Sequence, residues 1–118
     1  MSNFDISGEI INTSLNVIHD LIKEKIVGLE LRLKSEEELF IENDDIYLNI
    51  YEYQQGKNGN SYLLGGSIDG SMSFTKNLLN SIAQLLTENS IKYNFEFYEE
   101  SAGESDSAKE YSIKHPDF

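Results

Sequence analysis

Between residues 26 and 68, apolar and polar residues alternate with a period of two, and only short polar turns interrupt the pattern. Such alternation is typical of strands that bury one face. It predicts four strands, at residues 26–34, 38–42, 46–54 and 61–68. The connections between them are too short for a crossover, so neighbouring strands are expected to be antiparallel. This segment therefore predicts an antiparallel sheet with one apolar face to cover.

Two segments have the helical period needed to cover that face. Residues 72–89 carry an apolar stripe formed by Phe74, Leu78, Ile82, Leu85 and Leu86. Residues 7–25 carry a second stripe, with Ser7 as the expected N-cap, formed by Ile11, Leu15, Ile18 and Ile22. An alternative interpretation of this first segment is a strand at residues 4–12 followed by a helix that starts at about Thr13.

Alternation resumes after the second helix, at Ile91, and predicts a fifth strand through Tyr98. A polar loop at residues 101–108 and a last strand at residues 109–114 follow. The predicted order is α-β-β-β-β-α-β-β, in a single domain of residues 1–118. We therefore expect the α+β class: a two-layer α/β sandwich with a mostly antiparallel sheet and two helices on one face.

The same alternation predicts which side chains the helices leave uncovered. If the apolar residues of the third strand face the helices, Tyr47, Tyr51 and Tyr53 face away, and Glu96 and Tyr98 do so on the fifth strand. Tyrosine is enriched in interface hot spots, and surrounding acids would suit a basic partner. We therefore predict a partner-binding surface, extended by acids after the fifth strand: Tyr47, Tyr51, Tyr53, Glu96, Tyr98, Glu99, Glu100, Glu104 and Asp106.

The charge balance restricts the kind of partner. The net charge is -12, with 21 acids against nine bases. Such a chain repels nucleic acid and anionic lipid and attracts basic proteins. No apolar run is long enough to span a bilayer, and the N-terminus has no secretory signal. We expect a cytoplasmic protein that binds neither nucleic acid nor membrane.

The sequence contains no motif for catalysis, a cofactor or a metal. The absence of cysteine excludes disulfides and thiolate zinc sites. His19 and His115 are far apart in sequence, and neither belongs to a metal-binding pattern. The glycine-rich stretch at residues 65–71 has no lysine of the kind that a phosphate loop requires. We therefore predict no enzymatic activity, no cofactor and no metal site.

Several stretches in the second half of the chain resemble the immunity proteins of bacterial polymorphic-toxin and contact-dependent inhibition systems. They are residues 62–71 (YLLGGSIDGS), the following helix, residues 93–97 (YNFEF) and residues 115–118 (HPDF). The resemblance covers about half of the chain. It implies stoichiometric neutralisation of a cognate toxin, often across the active site of that toxin, and many such toxins are basic nucleases. It carries over no catalytic residue.

Two alternatives remain open from the sequence. One is a structural or adaptor domain that forms a homodimer through the open face of its sheet. The other is a small-ligand or enzymatic domain with a pocket between helix and sheet. A buried His19 or His115 beside carboxylates would favour the second alternative.

Overall fold

The computed structural model describes residues 3–35, 37–99 and 110–118, which form two helices and one seven-stranded antiparallel sheet. The α+β class is confirmed. The order is β-α-β-β-β-β-α-β-β, with one more strand at the start than the sequence predicted. The elements are β1 (Asn3–Thr13), α1 (Leu15–Lys25), β2 (Glu30–Ser35), β3 (Glu38–Glu42), β4 (Ile46–Gln54), β5 (Asn60–Asp69), α2 (Met72–Glu88), β6 (Lys92–Glu99) and β7 (Glu110–Lys114).

Strand β1 joins two parts of the sheet. The spatial order is β2-β3-β4-β5-β1-β6-β7, so β2 to β5 form a meander and β6 and β7 form a hairpin. Strand β1 pairs antiparallel with β5 on one side and with β6 on the other. The first element of the chain therefore makes the meander and the hairpin into one continuous sheet.

The prediction of a helix over residues 7–25 is wrong at its N-terminal half. Residues 3–13 form a strand, as in the alternative interpretation, and the helix begins at Leu15. Phe4, Ile6 and Ile10 occupy alternate, buried positions that a strand can bring to one face. The N-cap is Ser14, whose hydroxyl accepts a hydrogen bond from the Val17 amide at 3.3 Å, whereas Ser7 lies in the middle of β1.

The first predicted strand also starts later than expected. Ile26 is the C-cap of α1, and its amide donates to the carbonyl of Ile22 at 2.9 Å. Gly28 follows with a φ of +86°, a left-handed conformation that glycine adopts without steric cost. Residues 26–29 therefore form the connection between α1 and β2, and pairing with β3 begins at Glu30.

Both helices cover the same face of the sheet. Their inward stripes and the inward side chains of five strands form one buried cluster. Its members include Phe4, Ile10, Leu39, Ile41, Leu48, Ile50, Tyr62, Ile68, Phe95 and Phe97 from the strands and Ile18, Ile22, Leu79, Ile82 and Leu86 from the helices. No described residue covers the opposite face of the sheet.

Two glycines allow the central strands to approach one another closely. A Cβ atom on Gly8 would collide with the carbonyl oxygen of Asn94 on β6. A Cβ atom on Gly66, whose φ is +137°, would collide with the carbonyl oxygen of Tyr47 on β4. Any side chain at these positions would therefore push the central strands apart.

Candidate functional site

The side of the sheet that the helices leave uncovered, here named the open face, includes three rows of side chains that cross strands β3 to β7. The first row, from β3 to β7, is Glu42, Tyr47, Ser67, Asp5, Tyr98 and Glu110. The second row is Phe40, Asn49, Gly65, Ser7, Glu96 and Ser112. The third row is Glu38, Tyr51, Leu63, Glu9, Asn94 and Lys114.

Four tyrosines of the open face are exposed to solvent over somewhat less than half of their surface. The exposed fractions are 48 % for Tyr47, 41 % for Tyr51, 45 % for Tyr53 and 42 % for Tyr98. Each ring presents a large apolar surface with a hydroxyl that can form hydrogen bonds. A partner that binds the open face could therefore bury four tyrosine rings.

Small side chains lie between these tyrosines. Tyr47 and Tyr98 occupy the same row and are separated by Ser67 and Asp5. Three inter-strand steps of about 4.8 Å place their backbones about 14 Å apart. In the second row the same central position holds Gly65, beside which no atom lies within 4 Å of an added Cβ. In the first two rows the centre of the open face therefore carries only short side chains and forms a shallow trough, with Tyr47 and Tyr98 on either side. The third row has Leu63 and Glu9 at this position.

Contacts among side chains hold one flank of the trough in place. The guanidinium of Arg32 lies 4.5 Å from the centre of the Phe40 ring and forms a 3.1 Å ion pair with Glu42. The Phe40 ring in turn contacts Tyr47, with 6.1 Å between ring centres. These contacts restrict the rotamers of this flank before any partner arrives, which lowers the entropic cost of binding.

A second contact fixes Tyr53 at the end of the trough. Its hydroxyl donates a hydrogen bond to Oε2 of Glu9 at 2.9 Å. This hydrogen bond, followed by partial burial and the negative charge of Glu9, raises the pKa of Tyr53 above its ordinary value. The Tyr53 hydroxyl is therefore a protonated donor at physiological pH.

Two carboxylates crowd one another on the other flank. A hydrogen bond with Glu96, together with the negative charge of Glu96, raises the pKa of the Glu110 carboxyl. Both residues lie beside Tyr98 on strands β6 and β7. This flank therefore combines an exposed aromatic ring with closely spaced negative charge.

Not all of the predicted partner-binding residues share this surface. The structure brings together Tyr47, Tyr51, Tyr53, Glu96 and Tyr98 on the open face. Glu99 lies in register with the inward-facing Phe4, and alternation places it on the side opposite to Tyr98. Glu100, Glu104 and Asp106 lie outside the described residues.

Sequence reasoning missed the contribution of β1. Asp5, Ser7 and Glu9 lie at the centre of the open face, whereas the helix expected over residues 7–25 made Ser7 its N-cap and Glu9 a helical residue. The alternation of Phe4, Ile6 and Ile10 was the signal that could have placed them there. Phe40 was missed as well, although its position between Leu39 and Ile41 points it away from the core.

The two histidines have local partners. His115 is buried, its ring lies edge-on to Tyr93 with 5.9 Å between centres, and its Nδ1 accepts a hydrogen bond from the Asp117 amide at 3.0 Å. His19 lies 2.9 Å from the carboxylate of its neighbour Asp20 on α1. Within the described part of the chain, no group of three or more His, Asp or Glu residues is arranged to hold a metal ion. The contacts of His115 attach the C-terminal segment to β6.

Comparison with known proteins does not assign the chain to a family. No family model matches the chain, and no curated protein matches it at a significant level. In residues 3–35, 37–99 and 110–118, no helix is both long enough and apolar enough to cross a membrane.

Proposed function

We propose that this chain is a non-catalytic, cytoplasmic binding protein that neutralises a basic toxin domain, in the manner of a bacterial immunity protein. The observation that carries the proposal is the open face: an exposed sheet surface with four accessible tyrosines and interspersed carboxylates. The resemblance of the second half of the chain to immunity proteins supports the same conclusion.

The tyrosines would supply most of the binding energy. Interface hot spots are enriched in tyrosine and lie near the centre of the buried surface. Tyr47, Tyr51 and Tyr53 lie together on β4, the strand next to β5 and therefore directly beside the trough. A partner segment seated in the trough would contact these rings on one side and Tyr98 on the other.

The acids would select a basic partner and speed its association. Asp5, Glu9, Glu96 and Glu110 lie on the open face, on a chain whose net charge is -12. Complementary charge steers encounter and increases the association rate, and like charge rejects nucleic acid. The acids that follow β6 in the sequence, Glu100, Glu104 and Asp106, are proposed to add to this attraction through their charge.

A capture experiment with matched variants tests the proposal. The tagged protein is used to isolate partners from its native cell lysate at low and moderate salt, and the captured protein is then co-expressed with the chain in a growth assay. We expect one basic protein in a one-to-one complex, whose toxicity the chain suppresses. Tyr51→Ala should lose both capture and protection. Phe74→Ala, which removes a ring that is also 41 % exposed but lies on α2, should lose neither.

Two outcomes would contradict the proposal. If Tyr51→Ala and Phe74→Ala capture and protect equally well, the open face is not the binding surface. If the captured protein is not toxic when expressed alone, the chain is not its neutralising partner.

A further inference from the structure

Strand β2 lies at one end of the sheet and carries a self-complementary sequence. Residues 30–34 read Glu-Leu-Arg-Leu-Lys. When two copies of this segment lie antiparallel, each leucine faces a leucine, the arginines face one another at the centre, and the acid at one end faces the base at the other. Among the residues that the structure describes, β2 pairs with a neighbouring strand only on the β3 side. Unpaired edge strands are templates for pairing with another chain.

The hydrogen-bond pattern shows which backbone groups of β2 face outward. The amide of Glu52 donates to the carbonyl of Glu37 at 2.8 Å. This pair continues the register of β3 and β4, so the odd-numbered residues of β3 form their backbone hydrogen bonds with β4. Alternate residues of an antiparallel strand bond to opposite neighbours. Even-numbered residues of β3 therefore bond to even-numbered residues of β2, and Leu31 and Leu33 direct their amides and carbonyls away from the sheet.

We propose that two copies of this chain pair through β2, antiparallel, about a two-fold axis at Arg32. In this register Leu31 of each copy lies opposite Leu33 of the other, and their outward amides and carbonyls form the hydrogen-bonded pairs of the new ladder. Glu30 of each copy then lies opposite Lys34 of the other. The proposal does not depend on the proposed function.

The side chains of β2 fit this pairing on both faces. Leu33 is 39 % exposed on the helix side and would be covered by Leu31 of the second copy. Glu30 is exposed, and the ammonium of Lys34 lies 3.7 Å from Glu38 with most of its side chain accessible, so both can reach across the interface. The two arginines at the axis are each already held by Glu42 and Phe40 of their own copy, which directs their charge away from one another.

Pairing at this edge would leave the open face accessible. The second copy would extend the sheet in its own plane, so the tyrosines of β4 and β6 would stay uncovered in the dimer. The long-range repulsion between two acidic copies is screened beyond about 8 Å at physiological ionic strength. The dimer and a complex with a basic partner can therefore coexist. An experiment that excludes one of them leaves the other untouched.

Charge reversal at the edge tests the pairing. Sedimentation equilibrium of the full chain at physiological ionic strength should give a dimer of 13.4 kDa subunits. Glu30→Lys and Lys34→Glu should each weaken the dimer by at least about tenfold, since each places like charges opposite one another at two symmetric positions. The double variant Glu30→Lys/Lys34→Glu should restore it. The matched controls are Glu24→Lys and Lys23→Glu, which make the same charge changes at exposed positions of α1 and should leave the dimer intact.

Three results would overturn the proposal. The wild-type chain could stay monomeric at millimolar concentration. A dimer could form that neither single variant weakens, which would assign it to another surface. Both singles could weaken the dimer without restoration in the double variant, which would exclude the pairing of Glu30 with Lys34.

Discussion

The hydroxyl of Tyr53 on β4 hydrogen-bonds to the carboxylate of Glu9 on β1 at 2.9 Å, and so bridges the strand β5 that lies between them. This contact connects the meander to the first strand on the side of the sheet that has no helices. It also favours one orientation of a tyrosine on the proposed binding surface. Its removal can therefore be followed both in stability and in binding.

Replacement of Tyr53 by phenylalanine should destabilise the fold slightly. The variant keeps the ring and loses only the hydrogen bond, which is worth about 0.5 kcal/mol at this accessible site. Urea unfolding at neutral pH measures the difference. A variant as stable as the wild type would show that the contact contributes nothing to the folded state.

The contribution of Tyr53 should depend on pH at the alkaline end. Its pKa is raised from the ordinary value of 10.0 in the folded state, so folding favours the protonated hydroxyl. The stabilisation is full below about pH 10, the pKa of an unfolded tyrosine, and is lost as the pH rises through the folded-state pKa. The difference in unfolding free energy between wild type and Tyr53→Phe should therefore shrink above pH 10. A difference that grows there would contradict the direction of the shift.

Neutralising Glu110 should stabilise the protein at neutral pH. The raised pKa of Glu110, caused mainly by its hydrogen bond with Glu96, means that folding favours the protonated carboxyl. This favourable contribution is present at acidic pH and is lost as the pH rises through the folded-state pKa. Glu110→Gln should therefore raise the thermal midpoint at pH 7 and leave it nearly unchanged at pH 4. Glu24→Gln, at an exposed position of α1, is the control for the change in net charge.

The two glycines of neighbouring central strands, Gly8 and Gly65, should respond differently to alanine. At Gly8 the added methyl group would collide with the backbone of β6, and we expect a loss of more than about 1 kcal/mol of stability because strands must move apart. At Gly65 no atom lies within 4 Å of the added carbon, and stability should be unchanged or slightly higher. Urea unfolding of both variants makes the comparison. Equal losses of stability would show that the close approach of β1 and β6 does not cause the destabilisation by Gly8→Ala.

The sequence was sufficient to predict most of the meander, α2 and the α+β class, because each depends on a local period that few alternatives satisfy. The first strand was ambiguous, since Ile10 and Ile11 fit both a strand and the helical stripe that continues through Leu15. Burial resolves it, because Ile10 packs in the core opposite Tyr62 and Tyr93. That pairing joins residues far apart in the chain, and no local pattern contains it.

The same limit applies to the candidate site. Alternation along β4 was enough to identify its three outward tyrosines, because only the orientation of one strand was needed. The trough depends on which strands are neighbours: it exists because Gly65 of β5 and Ser7 of β1 lie side by side between β4 and β6. Sequence periodicity gives the face of a residue, but it does not give the neighbour across a sheet.

The central claim, that the trough of the open face is a binding surface, is tested most directly by filling it. The affinity of the captured basic partner is measured by calorimetry for the wild type and for Gly65→Trp, whose ring would occupy the space beside Ser7, with Val17→Trp on the exposed side of α1 as the control. Both variants are first checked for native stability. We predict that Gly65→Trp weakens binding by at least about 30-fold, equivalent to the loss of a hot spot of about 2 kcal/mol, and that Val17→Trp binds like the wild type. Unchanged affinity in a folded Gly65→Trp variant would contradict the account.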